Sequence, residues 1–241
     1  MGSRELGLAV ALILAGATAG AADLAQADAP ATRLIDSLAA QAPALDRTVL
    51  QLALRAAACA GRSGQIRKPS ILTVIDYSRP STERRLWVLD LRRRRVLHEE
   101  LVAHGRGSGE NLATRFSNES GSRQSSLGLF VTGDTYVGRH GRSLRLRGLE
   151  RGVNDRAFDR AVVIHAASYV SDAFAAEHGR IGRSWGCPAL APAVAPQVID
   201  TIRGGTAVFA YHPQHDWLRT SPFLSACPTS TARRTAAASD S

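Results

Sequence analysis

A chain of 241 residues, 44% of them hydrophobic, is long enough to bury one ordinary domain core without a metal or disulfide scaffold. Its net charge of +9 draws it toward polyanions, and because Lys68 is the only lysine, the surplus is almost wholly arginine. Beyond the first residues no stretch is long and apolar enough to cross a bilayer, which argues against a helical integral membrane protein.

Arg4 precedes a continuous apolar run, Leu6 to Ala17, and small residues continue through Ala22. Ala17-Thr18-Ala19 and Ala19-Gly20-Ala21 both suit small-x-small cleavage, so 1–22 reads as a secretory signal peptide, with an uncleaved anchor as the alternative. Residues 23–44, containing Ala, Asp and Pro, read as a linker. The next segment opens on Asp46, a candidate N-cap, and carries Val49, Leu50, Ala53, Leu54 and Ala57 at helical spacing until Gly61-Arg62-Ser63-Gly64 stops it. From Ser70 the pattern changes. Ile71–Ile75, Leu86–Leu89 and Val96–Val102 read as strands, the last two joined by a turn bearing Arg92-Arg93-Arg94-Arg95. Four arginines in a row invite a nucleic-acid reading, but no aromatic residue is interleaved with them, and a solvated turn is the preferred account.

His104 to Gly128 is long, polar and without periodicity, which inside a compact domain predicts a functional loop. It is expected to form one wall of a cleft, with Ser117, Asn118, Ser122 and Ser125 facing a polar ligand. Leu127–Phe130 continues as a strand, 135–147 as a hairpin with Leu144 and Leu146 alternating against arginines, and Gly148 to Asp159 as a turn-rich connection. Val162-Val163-Ile164 then delivers His165 at a strand end. Tyr169 to Glu177 and Ala195 to Arg203 read as helices, Thr206 to Tyr211 as a closing strand, and 213–241 as a C-terminal tail that is disordered after 228.

Twenty-two residues past His165 stands Cys187, within Gly182-Arg183-Ser184-Trp185-Gly186-Cys187-Pro188. Glycine and proline on either side of the cysteine disfavour a packed helix or central strand and favour a tight loop presenting the sulfur with several backbone N–H groups. Attack by cysteine needs a thiolate, a base and donors for an oxyanion; His165 is the nearest candidate base, with His178 as a rival. A buried cysteine and a core histidine would look the same from these two residues alone. The chain holds three cysteines. Cys59 and Cys227 pair across the termini in one reading, leaving Cys187 free, and Cys59 is a buried helix residue in the other. No HExxH or CxxC spacing points to a metal, and no cofactor is expected.

Ile164-His165 followed by Ser184-Trp185-Gly186-Cys187 resembles the active-site signature of the L,D-transpeptidases, the YkuD-type enzymes of bacterial cell-wall synthesis. Val102-Ala103-His104-Gly105, Phe116-Ser117-Asn118, Ser126-Leu127-Gly128 and Gly148-Leu149-Glu150 resemble a divergent branch of that family, so the likeness covers roughly 45–212. Two departures stand out: Trp185 replaces the second histidine of Ser-His-Gly-Cys, and Pro188-Ala189 replaces an aliphatic-Arg pair. The resemblance implies a mainly β fold with peripheral helices (α+β), made of packed mixed sheets, with a catalytic domain over 45–212. It implies an exported enzyme of the periplasm or cell envelope that acts, as a monomer, on peptidoglycan stem peptides and not on nucleic acid. Cys187 would be the nucleophile and His165 the base, oriented by a backbone carbonyl near Ala166. Gly186 and Trp185 would help hold the oxyanion, and Ser184 and Arg183 would shape the donor pocket. The implied reaction is L,D-transpeptidation. An L,D-carboxypeptidase or endopeptidase using the same pair is the alternative, and a non-catalytic wall-binding protein with Trp185 stacked on sugar is a third.

Overall fold

The computed structural model describes residues 31–225 and 227; the expected signal peptide and the stretch after 228 lie outside these residues. Five α-helices, one short 3-10 helix (Asp155–Ala157) and eight strands are described. A helix over 31–41 (α1) leads to α2 (Arg47–Arg62). The strands are β1 (Ile71–Asp76), β2 (Leu86–Asp90), β3 (Arg95–Glu100), β4 (Gly128–Gly138), β5 (Gly141–Gly148), β6 (Val163–Ala166), β7 (Ala189–Leu190) and β8 (Ala207–Tyr211). The remaining helices are α3 (Asp172–His178), α4 (Ala195–Ile202) and α5 (His215–Thr220).

The strands form one mixed sheet in the order β3-β2-β1-β8-β4-β5-β6-β7, with β1–β8 and β6–β7 parallel and the other pairs antiparallel. Packed mixed β-structure with peripheral helices was expected, and it takes the form of a single sheet. A bridge between Ala103, just past edge strand β3, and Ala189 in edge strand β7 brings the two edges together, so the sheet nearly closes on itself. Strands β1, β2 and β8 are buried along almost their whole length, which is why they read as unbroken apolar runs. Edge strand β3 alternates between exposed and half-buried positions. Asp46 caps α2 as expected, its carboxylate accepting from the Thr48 and Val49 N–H groups at 2.7 and 3.1 Å.

Two segments differ from expectation. The stretch read as linker includes α1, which buries Leu38 and ties its Gln41 side chain to the Arg94 carbonyl at 2.8 Å. The stretch read as tail includes α5; Trp217, Phe223 and Leu224 enter the core, and Cys227 is disulfide-bonded to Cys59. Apolar burial explains both, since a short helix docks wherever it offers such a face to an open core. The Arg92–Arg95 run is a solvated turn: Arg93 hydrogen-bonds Asp90 through its backbone N–H (2.8 Å) and its guanidinium (3.0 Å).

Glu150 and Asn154 brace the start of β4. One Glu150 oxygen accepts from the Leu129 N–H (2.7 Å) and the other from the Trp217 indole (3.0 Å), while the Asn154 amide donates to the Leu127 and Leu129 carbonyls. The Gly148-Leu149-Glu150 and Ser126-Leu127-Gly128 motifs are thus one structural joint. Farther along, β4 shifts register between Thr132 and Thr135. Such a bulge bends a strand, and the β4–β5 hairpin places its tip, Arg139-His140, over the open end of β6.

Candidate active site

Strands β6 and β7 run parallel, with His165 opposite Ala189, two residues past Cys187. This pairing delivers the Cys187 and His165 side chains to one cleft of about 730 Å³, also lined by Tyr169, Trp185, Arg139 and His140. His165 is only 4% exposed. Its Nδ1 lies 2.8 Å from the Ala166 carbonyl, an acceptor, so Nδ1 carries the proton and Nε2 keeps its lone pair for a base. Burial holds the His165 pKa below the ordinary imidazole value against the opposing pull of the Ala166 carbonyl, with His140 and Arg139 lowering it further.

Cys187 is the free thiol, partly exposed. Its Sγ sits 3.8 Å from the Ala161 carbonyl and beside the Val163 N–H. Burial pushes the thiol pKa up, opposed by the Val163 N–H and by the Arg160 and Arg139 charges. Both shifts favour the neutral forms of the two groups, thiol and imidazole. Ala161 has φ +54, a left-handed conformation for a residue with a Cβ, next to the sulfur.

The turn carrying Cys187 is held from inside. Ser184 Oγ accepts from the Gly186 N–H (3.0 Å) and donates to the Cys187 carbonyl (2.6 Å). Gly186, at φ +126, is pressed against the 104–128 loop, where a Cβ would meet the Gln124 carbonyl oxygen at 2.9 Å. The Gly186 N–H is therefore engaged within the turn, in place of the oxyanion role expected for it. The Cys187 and Trp185 N–H groups have no hydrogen-bond partner among the described residues. Arg183 lines the cleft, but its guanidinium donates to the Gly109 carbonyl (2.9 Å) and pairs with Glu110, so it bridges to the neighbouring loop and is not an uncompensated cation.

The 104–128 loop braces the turn carrying Cys187 more than it walls the cleft. The His104 carbonyl accepts from the Ser184 N–H (3.0 Å), the Arg106 N–H donates to the Ser184 carbonyl (2.8 Å), and Ser125 Oγ donates to the Gly186 carbonyl (3.1 Å). Asn118 bonds Asp155 (2.7 Å), and the Ser117 carbonyl and Ser122 hydroxyl accept from Arg160. His104, Ser108, Ser125 and Ser126 are buried in this loop, and buried polar groups need partners within the protein. His104 accepts from the buried Arg85 at 2.8 Å, and burial together with that charge lowers its pKa to about 4, which marks a neutral structural histidine. His178 stacks on Phe174, with ring centroids 4.1 Å apart, and does not line the cleft.

Three site residues were not singled out from the sequence. Arg160 hydrogen-bonds the Ser117 and Gln124 carbonyls at 2.7 Å and sets its charge near Cys187. From the hairpin tip, His140 stacks on His165 with ring centroids 4.5 Å apart, and Arg139 stacks on Trp185. Sheet topology brings them there, and no local motif marks them.

A family model of the L,D-transpeptidase catalytic domain (YkuD type) matches residues 41–211. No curated protein matches the chain. Among solved structures it is similar to an L,D-transpeptidase from Mycobacterium smegmatis (14% identity over 59% of each chain, TM-score 0.38). It is also similar to an L,D-transpeptidase from Xylanimonas cellulosilytica (17% identity, 59% of this chain and 60% of that one, TM-score 0.34). A third is the helical cell shape determining protein Pgp2 from Campylobacter jejuni (13% identity, 60% of this chain and 48% of that one, TM-score 0.41). The chain spans about 59% of the first of these structures. With 171 of its 241 residues inside the family match, the chain belongs to the YkuD-type L,D-transpeptidase catalytic domain family.

Proposed function

We propose that this protein is an exported cysteine acyltransferase that forms L,D cross-links in peptidoglycan. The observation that carries the reading is His165, fixed in its base tautomer by the Ala166 carbonyl and opening into the same cleft as the free thiol of Cys187. His165 Nε2 takes the thiol proton, and the sulfur attacks the carbonyl of the third stem residue, an L centre. The developing oxyanion is held by the backbone N–H groups of Cys187 and Trp185. Collapse of the tetrahedral adduct breaks the peptide bond, and the proton on His165 passes to the departing D-alanine amine, leaving a Cys187 thioester. An amine of a neighbouring stem then attacks the thioester, gives its proton to His165 and forms the new amide. The released sulfur takes that proton back.

Ser184 keeps the turn closed, and Arg160 holds the loop behind it through the Ser117 and Gln124 carbonyls. The Cys59–Cys227 disulfide supports an oxidising compartment, in keeping with the periplasm or cell envelope and with a signal peptide over 1–22. Trp185 at the mouth narrows the approach of a bulky acceptor and favours water, which supports a second reading as an L,D-carboxypeptidase or endopeptidase. Mass spectrometry of products from disaccharide-tetrapeptide, with Cys187→Ala as control, separates them. A cysteine-dependent dimer lacking one D-alanine is the expected result. Cysteine-dependent tripeptide without dimer would assign the hydrolase, and identical traces from both proteins would overturn both readings.

A further inference from the structure

The mouth of the cleft carries positive charge with no carboxylate to offset it. Trp185 is 64% exposed there, and two guanidiniums lie over its ring: Arg123 at 5.2 Å and Arg139 at 5.8 Å from the centroid. Several nearby arginines are paired, and Arg160 is spent on the Ser117 and Gln124 carbonyls. Arg180 and Arg183 pair with Glu110, and Arg156 pairs with Glu119. Arg123 and Arg139 pair with no carboxylate among the described residues. A guanidinium held against an indole is positioned by its charge; Arg139 donates its Nε–H to His140 at 3.1 Å and keeps its terminal N–H donors for another partner.

Their placement is built in. The Arg123 backbone is held at φ +56, an unfavourable value for a residue with a Cβ, and its carbonyl is pinned by the Gly107 N–H at 2.9 Å. Arg139 occupies a hairpin tip closed by the Gly138–Gly141 pair, and it lines the same cleft as Cys187. Two guanidiniums over one indole, that of Arg139 also lining the cleft, suit a carboxylate, which each can bind in bidentate fashion.

We propose that Arg123, Trp185 and Arg139 form a carboxylate clamp on the leaving-group side of Cys187, reading the free C-terminal carboxylate of the donor stem peptide. The clamp rests on the stem-peptide reading above and adds the requirement for an unblocked C-terminus. That carboxylate lies one residue beyond the scissile carbonyl, within roughly 4 Å of chain length, so a sulfur placed for attack leaves it at the cleft mouth. Trp185 sets the spacing between the two arginines and shields their contacts from water.

The test uses the Cys187→Ala protein, which binds without turnover, and calorimetric Kd values for disaccharide-tetrapeptide ending in a free acid or in a carboxamide. The acid is expected to bind about tenfold more tightly, the scale of one charge-assisted contact. Arg139→Gln and Arg123→Gln should each move the acid-to-amide ratio toward unity while changing the amide Kd less than about twofold. Arg139→Lys should keep part of the preference. Because both ligands are measured on each variant, damage to the fold would weaken both and leave the ratio intact. Equal binding of acid and amide by the parent, or a preference that survives both Arg→Gln changes, would overturn the clamp alone. Binding that follows the disaccharide and ignores the C-terminus would replace it with a sugar platform. No binding of either peptide would overturn the stem-peptide reading and the clamp together.

Discussion

The Cys59–Cys227 bond closes a loop of 168 residues, most of the described chain. Cross-linking removes conformations chiefly from the unfolded ensemble, by an amount that grows with the logarithm of loop length. A loop of this size gives about 5 kcal/mol at 25 °C, at the upper end of the roughly 2–5 kcal/mol found when native disulfides are removed. For a protein of this length each kcal/mol moves Tm by about 2–4 °C, so reduction is expected to lower Tm by roughly 10–20 °C. The bond also staples the segment carrying Trp217, Phe223 and Leu224 onto the core. Protease cleavage near the C-terminus should therefore begin before global unfolding once the bond is cut. The assay is urea unfolding of the oxidised protein, the reduced protein and the Cys59→Ala/Cys227→Ala variant, with thiol titration showing one reactive thiol, Cys187, in the oxidised denatured chain. Cys59 is fully buried, so the alanine variant should lie slightly below the reduced wild type because it also loses packing. A loss under about 1 kcal/mol on reduction would refute the argument.

Iodoacetamide should alkylate Cys187 at a rate that climbs with pH through a midpoint above the ordinary thiol value of 9.0, because burial raises its pKa. A rate that is flat from pH 5 to 8 would instead reveal a preformed thiolate–imidazolium pair. Turnover should rise with pH through a value below 6.5, since His165 must be neutral to act and its pKa is lowered; a limb above 6.5 in kcat/KM would contradict this. Glu150→Gln leaves one carbonyl oxygen for two buried donors, the Leu129 N–H and the Trp217 indole. Urea titration should show a loss of about 1–3 kcal/mol. Gly105→Ala would put a Cβ 2.3 Å from the Arg123 carbonyl and 2.8 Å from Gly186 Cα, prising the loop from the catalytic turn. Acylation should fall at least tenfold, with Tm as the companion measurement. His165→Ala should abolish burst-phase acylation while His178→Ala leaves it near wild type, given that His178 stacks on Phe174 away from the cleft.

Much of this was legible in the sequence because its signals are local. The Asp46 cap, the apolar runs of β1, β2 and β8, and the Gly-Cys-Pro turn each announce themselves within a few residues. His165 was singled out because a strand end presents it. What escaped depends on distant pairing. β5 pairs with β6 through Leu144 and Ile164, and only that pairing brings His140 and Arg139 to the cleft. Arg160 reaches the site through a fork onto the Ser117 and Gln124 carbonyls, a contact with no sequence signature. The 104–128 loop was recognised as special, but Ser117, Asn118, Ser122 and Ser125, expected to face a ligand, bond within the protein instead. Leu34, Ile35, Leu38 and Ala42 follow helical spacing, a signal in the stretch read as linker that its Ala and Pro content obscured. Trp217, Phe223 and Leu224 likewise gave notice of a docked C-terminal segment.

The central claim is a covalent bond between Cys187 and a stem peptide, and intact-protein mass spectrometry of acid-quenched reactions with disaccharide-tetrapeptide tests it most directly. The account predicts a protein heavier by the donor minus one D-alanine, with the added mass on the peptide containing Cys187. The adduct should be absent in Cys187→Ala and should form far more slowly in His165→Ala. Product formation by Cys187→Ala, or an adduct on another residue, would contradict it.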